Sequence, residues 1–224
     1  MKDFFTTIKD FFTNLKEKLI GFYDYTVIAT YLSLFLGALG VFYAVNGSPM
    51  TGLILLMACG IIDMFDGKIA STKERTMVEK RYGLQIDVLS DMVAFGLLPI
   101  AIGYGVGLHH AAVIPVMALY AVAVQIRLAY FNVAQEARLQ QGDHPFRYYE
   151  GFPVNYISLV LPVIYLFRGL VGDGAFKWIY LIVLLAVIPT YLLKFKVIKP
   201  RFRGLMVLLG VGFVELLLLL LLGK

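Results

Sequence analysis

Seven apolar segments dominate this chain, at roughly 26–46, 52–71, 84–106, 110–134, 152–168, 176–193 and 204–222. Most run close to the twenty residues an α-helix needs to cross ~30 Å of hydrocarbon. The apolar residues come in blocks and do not alternate, which argues against a β-barrel. With 60% hydrophobic residues over 224 positions, the chain reads as an all-α polytopic membrane protein. The expectation is a six-helix transmembrane core with one further C-terminal helix, or a distorted hairpin where Gly210, Gly212 and Glu215 interrupt the last segment.

Ahead of these segments, "MKDFFTTIKDFFTNLKEKLIGF" places Phe4, Ile8, Phe11, Leu15 and Leu19 at helical spacing, with Lys2, Lys9, Lys16 and Lys18 on other faces. That pattern predicts an amphipathic helix over 1–24 lying in the headgroup region, followed by a transmembrane catalytic domain over 25–224. Acidic residues interrupt the start, so it does not read as a signal peptide. The loops 72–83 and 135–150 and the stretch 194–203 carry the basic residues, whereas 47–51, 103–110 and 168–175 carry few charges. This alternation places the N-terminus and the basic loops in the cytoplasm. The net charge of +5 is accounted for by topology, with no nucleic-acid partner. The single cysteine, Cys59, permits no internal disulfide and reads as a packing residue.

One stretch breaks the apolar pattern. "GIIDMFDGKIASTKERTMVEKRYGLQIDVLSDMVAFG" sets Asp63 and Asp66 three apart at the end of one segment, and Asp87 and Asp91 four apart near the start of the next. Either spacing puts a pair on one helix face, and a short loop makes the two segments antiparallel neighbours, so four carboxylates can converge. Clustered anions persist in a low dielectric only when protonated, paired or metal-bound. Carboxylate oxygens select hard cations such as Mg²⁺, Mn²⁺ or Ca²⁺; two divalent ions would neutralise the set and suit displacement at phosphorus. Intramembrane acids also serve ion transport, and that alternative stays open at this point. Gly67 and Gly83 beside the acids let a bulky ligand approach the backbone.

This stretch resembles the signature of the CDP-alcohol phosphotransferases: Asp, two residues, Asp-Gly, two residues, Ala-Arg, a spacer, then Gly, three residues, Asp, three residues, Asp. The matching positions are Asp63, Asp66, Gly67, Ala70, Gly83, Asp87 and Asp91. The chain departs from the pattern at Ser71, where the family has Arg, and in a longer spacer before Gly83. "SDMVAFGLLP", "IRLAYFNV" and "YYEGFPV" resemble blocks of the branch that uses CDP-diacylglycerol and L-serine.

The resemblance implies a phosphatidyltransferase that releases CMP, works as a homodimer in the cytoplasmic membrane, and depends on Mg²⁺ or Mn²⁺. In it, Asp63, Asp66, Asp87 and Asp91 bind metal, Asp91 is also the general base, and Gly67, Ala70 and Gly83 line the cytidine pocket. The family Arg holds the diphosphate; here Lys73 or Arg75 is the candidate for its charge, the alternative being a weakened enzyme. For the zwitterionic serine, Arg127 in an apolar segment is the candidate carboxylate contact, with Asn132 adding hydrogen bonds and Arg147 and Glu150 at the cytoplasmic mouth. Competing readings are a glycerol phosphate or inositol phosphate acceptor, which demands a denser basic cluster than one intramembrane arginine, and a cation transporter. His109, His110 and His144 form no ligand cluster, and Glu215 reads as a packing or oligomer contact.

Overall fold

The computed structural model describes residues 19–141, 148–198 and 202–222. Residues 1–18, the bulk of the expected interfacial helix, lie outside the described residues. Every expected apolar segment is helical. α1 is Tyr25–Val45, α2 Pro49–Ala70 and α3 Met77–Asp91; a π-helical segment, Met92–Leu97, joins α3 to α4, Leu98–Gly105. Then come α5 (Val113–Gln141), a 3₁₀ turn at Val154–Tyr156 leading into α6 (Ile157–Leu166), the short α7 (Arg168–Val171), α8 (Asp173–Leu192) and α9 (Phe202–Leu222). One small addition is a two-stranded antiparallel ribbon, β1 (Tyr148–Glu150) with β2 (Lys196–Ile198), in which Glu150 lies opposite Lys196.

Six helical stretches are long and apolar enough to cross a membrane. α2 stands beside them; its 22 residues, at ~1.5 Å rise each, also span about 33 Å. α9 is one uninterrupted 21-residue helix, so the hairpin alternative for the last segment does not hold. Gly210 and Gly212 both lie within it; a Cβ on Gly210 would meet nothing within 4 Å, and one on Gly212 would lie 3.4 Å from Leu159 Cδ2. Glu215 on the same helix is 6% exposed within the single chain, which makes it a packing residue rather than one presented to a second copy.

The start of α3 departs most from expectation. The apolar pattern begins it near residue 84, but the helix begins at Met77. Thr76 and Glu79 form a reciprocal cap: the Thr76 hydroxyl accepts from the Glu79 amide at 3.2 Å, and the Glu79 carboxylate accepts from the Thr76 amide at 2.7 Å. Such a box satisfies two otherwise orphaned donors and fixes the helix start. The first turns of α3 are polar, so hydropathy alone does not register them. Gly83 therefore sits inside α3, and much of the longer spacer is absorbed as helix.

Close approach of small residues holds the bundle, as expected where lipid removes the usual hydrophobic drive between helices. α1 packs along α2 and reaches the π segment at Gly37, where a Cβ would lie 3.3 Å from the Ala94 Cα. The Ser90 hydroxyl donates to Thr30 O at 3.1 Å, and the buried Cys59 thiol donates to Ser33 O at 3.3 Å. Pro99 has no N–H to offer the carbonyl four residues earlier. That carbonyl, Phe95 O, instead accepts from the fully buried Tyr120 hydroxyl on α5 at 2.8 Å, and Tyr180 on α8 donates to Pro99 O at 2.8 Å. The wider π turn directly after Asp91 is thus tied on both sides to neighbouring helices, which fixes how α3 presents its acids.

Candidate active site

α2 and α3 both pack against α1 and face one another across a cavity, which brings three of the four expected carboxylates into one close group. Oxygen atoms of Asp63, Asp66 and Asp87 lie within 4.8 Å of one another. Asp91 lies outside that tight trio but lines the same cavity, of about 1090 Å³. Among the described residues none of the four pairs with a Lys or Arg. Three converging carboxylates with no protein cation to neutralise them repel strongly. Their all-oxygen donor set fits hard divalent cations of the Mg²⁺ or Mn²⁺ type.

One member of the site came unannounced. Asn155, in the 3₁₀ turn before α6, donates its side-chain amide to Asp63 Oδ2 across 92 positions of sequence. The backbone carbonyl of Asn155 accepts from the Ser158 hydroxyl at 2.6 Å. The contact exists because α2 is bare at Gly60: a Cβ there would lie 2.1 Å from Ser158 Oγ. The only sequence signal was a polar Asn at the head of an apolar segment.

Gly67, Ala70, Ser71 and Gly83 all line the cavity. A Cβ on Gly67 would meet nothing within 4 Å, so this glycine opens onto free space. Ser71 ends α2, donating its hydroxyl to Lys68 O at 2.7 Å. The two candidate substitutes for the missing arginine differ sharply. Lys73 donates to Asp24 Oδ2 at 2.7 Å and to Glu79 Oε1 at 3.0 Å. Burial alone would push the Asp24 carboxyl up, but hydrogen bonds from Lys73 and from the Thr26 hydroxyl and amide outweigh it and hold the group at about 2. The bonds to Asp24 and Glu79 in turn raise the Lys73 ammonium. Arg75 takes part in no ion pair among the described residues, and its guanidinium Nη1 lies 3.1 Å from the point where a Gly83 Cβ would stand.

Arg127 lines the cavity and is 6% exposed. Its Nε donates to Phe152 O at 3.2 Å and its Nη2 to Gly151 O at 3.3 Å, so part of its guanidinium anchors the turn that carries Asn155. Asn132 is not part of the cavity wall; its Oδ1 is buried without a hydrogen-bond partner among the described residues. Arg147 lies outside the described residues, and Glu150 is in β1. Beyond the cations expected at the site, Lys68, Lys80 and Arg138 also line the cavity. Lys80 and Arg138 come from stretches that read, in sequence, as basic cytoplasmic loops, and Lys68 from the last turn of α2.

A cavity lined by clustered carboxylates and by several cations, within a bundle of helices long and apolar enough to cross a membrane, marks the candidate site of a polytopic membrane protein. The chain belongs to the CDP-alcohol phosphatidyltransferase family, whose model matches residues 26–214. Among its relatives is the CDP-diacylglycerol–serine O-phosphatidyltransferase of Helicobacter pylori, 33% identical over 114 residues, covering 50% of this chain and 47% of the relative. The proteins of the same name from Mycobacterium tuberculosis and Saccharomyces cerevisiae are 32% identical over 125 residues and 31% over 124, covering 55% and 54% of this chain and 42% and 43% of theirs. The aligned part thus spans a little under half the length of these relatives.

Proposed function

We propose that the chain transfers the phosphatidyl group of CDP-diacylglycerol to L-serine and releases CMP. The observation that carries this reading is the convergence of Asp63, Asp66 and Asp87 within 4.8 Å on the wall of a cavity shared with Asp91 and Arg75, in a family defined by CDP-alcohol substrates. In this account the three clustered carboxylates hold Mg²⁺ or Mn²⁺, two ions in all. Bound there, the metal supplies Lewis acidity to the diphosphate and charge compensation for departing CMP.

The chain's own residues do the rest. Gly67 and Gly83 leave room for the nucleotide, with Ala70 and Ser71 beside them. Arg75 sets its guanidinium against the diphosphate in place of the family arginine, and Lys73 braces the loop that carries it. Asp91, free of the tight trio, accepts the proton of the serine hydroxyl. The serine oxygen then forms its bond to the β-phosphorus as the bond to the CMP oxygen breaks. Arg127 supplies positive charge for the serine carboxylate and holds the 151–153 turn. The site faces the cytoplasm of the cell membrane, as the basic loops indicate, and the working unit is a homodimer.

A second reading keeps the same chemistry with a phosphate-bearing acceptor. It is favoured by Lys68, Lys80 and Arg138 on the wall, a denser basic lining than serine needs. CMP release by the purified protein, with serine, glycerol 3-phosphate and inositol phosphate compared, tests both. Serine-dependent release supports the first; strict dependence on a phosphate-bearing acceptor replaces it with the second.

A further inference from the structure

A hydroxyl buried in an apolar bundle must find an acceptor or leave its proton unpaired at a cost. Tyr120 on α5 and Tyr191 on α8 are 0% and 3% exposed, and each donates to a backbone carbonyl in an irregular turn next to a site residue. Tyr120 donates to Phe95 O at 2.8 Å, in the π segment that starts directly after Asp91. Pro99 cannot serve that carbonyl; the tyrosine does. Tyr191 donates to Val154 O at 3.3 Å, in the 3₁₀ turn whose next residue, Asn155, holds Asp63. The two rings meet, with 6.0 Å between centroids and a tilt of 54°, within the range of attractive aromatic pairs. Tyr191 is itself seated on the turn: its ring stacks on Phe152 at 6.4 Å, and the Phe152 amide donates to Thr190 O at 3.3 Å.

We infer that Tyr120 and Tyr191 are positioning residues that form a buried bridge between the two halves of the site, setting Asp91 on α3 against Asp63 on α2. The inference rests on the phosphatidyl-transfer reading for the task of Asp91. The acids line an open cavity of about 1090 Å³, so the contacts that fix their spacing lie behind it. A π segment within an α-helix is a local irregularity that recurs at functional sites; unpinned, it relaxes and turns the residue before it, here Asp91. Phenylalanine at either position would fill the same space and lose only the pin, so packing alone does not account for the hydroxyls. Displacing a reacting group by ~1 Å costs about 10² in rate, so the bridge acts on turnover rather than on substrate binding.

The test compares Tyr120→Phe, Tyr191→Phe and the double variant in the purified full-length protein. Tyr165→Phe is the control, removing a hydroxyl from a ring that is 2% exposed near the far end of α6. Tyr120→Phe should lower kcat about ten- to a hundredfold and leave KM for CDP-diacylglycerol and serine unchanged, and Tyr191→Phe should show the same pattern. The double variant should be no slower than the slower single variant, because the two hydroxyls act as one unit. In hydrogen-exchange mass spectrometry, Tyr120→Phe should speed exchange in the peptides covering both 92–97 and 151–156. Tyr165→Phe should alter neither kcat nor exchange in those two peptides. Unchanged kcat in Tyr120→Phe, an equal loss in Tyr165→Phe, losses that multiply in the double variant, or faster exchange confined to 92–97 overturns the bridge. The exchange readout needs no turnover: a wild type that releases no CMP with any acceptor refutes the reaction reading, while coupled exchange still upholds the bridge.

Discussion

Lys73 Nζ sits 2.7 Å from Asp24 Oδ2, tying the loop between the two aspartate-bearing helices to the residue that caps α1. Glu79, 3.0 Å from the same ammonium, closes the link onto the start of α3. Tyr25 and Thr72 add a hydroxyl contact at 3.1 Å beside it. A lysine held by two carboxylates is a brace, and its charge is already compensated; Arg75, two residues on, lines the cavity with no ion pair among the described residues and is the cation we propose for the diphosphate.

Arg75→Ala is therefore expected to raise KM for CDP-diacylglycerol by roughly ten- to a hundredfold, since a charge-assisted hydrogen bond contributes ~1.5–3 kcal/mol. Lys73→Ala should change that KM far less. Ser71→Arg should gain little, because the position ends α2 and the charge is supplied elsewhere. Steady-state kinetics on the three variants decide the matter. A large gain from Ser71→Arg with Arg75→Ala unimpaired would show that nothing in this chain replaces the family arginine.

The Asp24–Lys73 link has a defined pH range. The Asp24 carboxyl is depressed to about 2 from an ordinary 3.8, so its contribution to stability is complete above pH ~4 and is lost as pH falls from there through about 2. The Lys73 ammonium is raised, so its contribution is complete below its ordinary 10.5 and is lost only as pH rises beyond that. Melting curves of wild type and Asp24→Asn in detergent should differ by a few degrees at pH 6 and converge toward pH 2. Curves that coincide at pH 6 would remove the link from the stability of the fold.

Asn155 holds Asp63 from outside the aspartate motif. Partners that orient a metal-binding carboxylate are typically worth ~10–100-fold in metal affinity. Asn155→Ala should weaken Mn²⁺ binding by about that factor in an electron paramagnetic resonance titration, with an unchanged melting temperature in the absence of metal. An unchanged Mn²⁺ affinity would make Asn155 a packing residue only.

What the sequence disclosed and what it hid divide along physical lines. The helices and the meeting of Asp63, Asp66 and Asp87 were legible because both depend on short-range periodicity and one short connection. The start of α3 was legible in principle, through Thr76 and Glu79 at capping-box spacing, but hydropathy outweighed it. Asn155 was not legible: its contact with Asp63 arises from the close approach of α2 and α6 at Gly60, which no local pattern encodes. Arg127 read as a substrate contact, yet two of its bonds go to backbone carbonyls that only the folded turn presents. Lys68, Lys80 and Arg138 reach the cavity through helix geometry that charge counting does not see.

Asp91 lines the cavity outside the group of three clustered carboxylates, and in the proposed mechanism its main task is the proton. Asp91→Asn should lower kcat by ~10²–10⁴ while Mn²⁺ titration shows most of the binding retained. Comparable losses of metal affinity and turnover would return Asp91 to the metal-binding set.

The most direct test of the whole account is the transfer of radiolabelled serine into extractable lipid by the purified protein, supplied with CDP-diacylglycerol and Mn²⁺. Labelled lipid and CMP are expected in equal amounts, both abolished by chelation and by Asp66→Ala. CMP appearing without lipid-borne serine would contradict the acceptor. The absence of both products, with divalent-cation flux across protein-containing liposomes instead, would contradict phosphatidyl transfer itself.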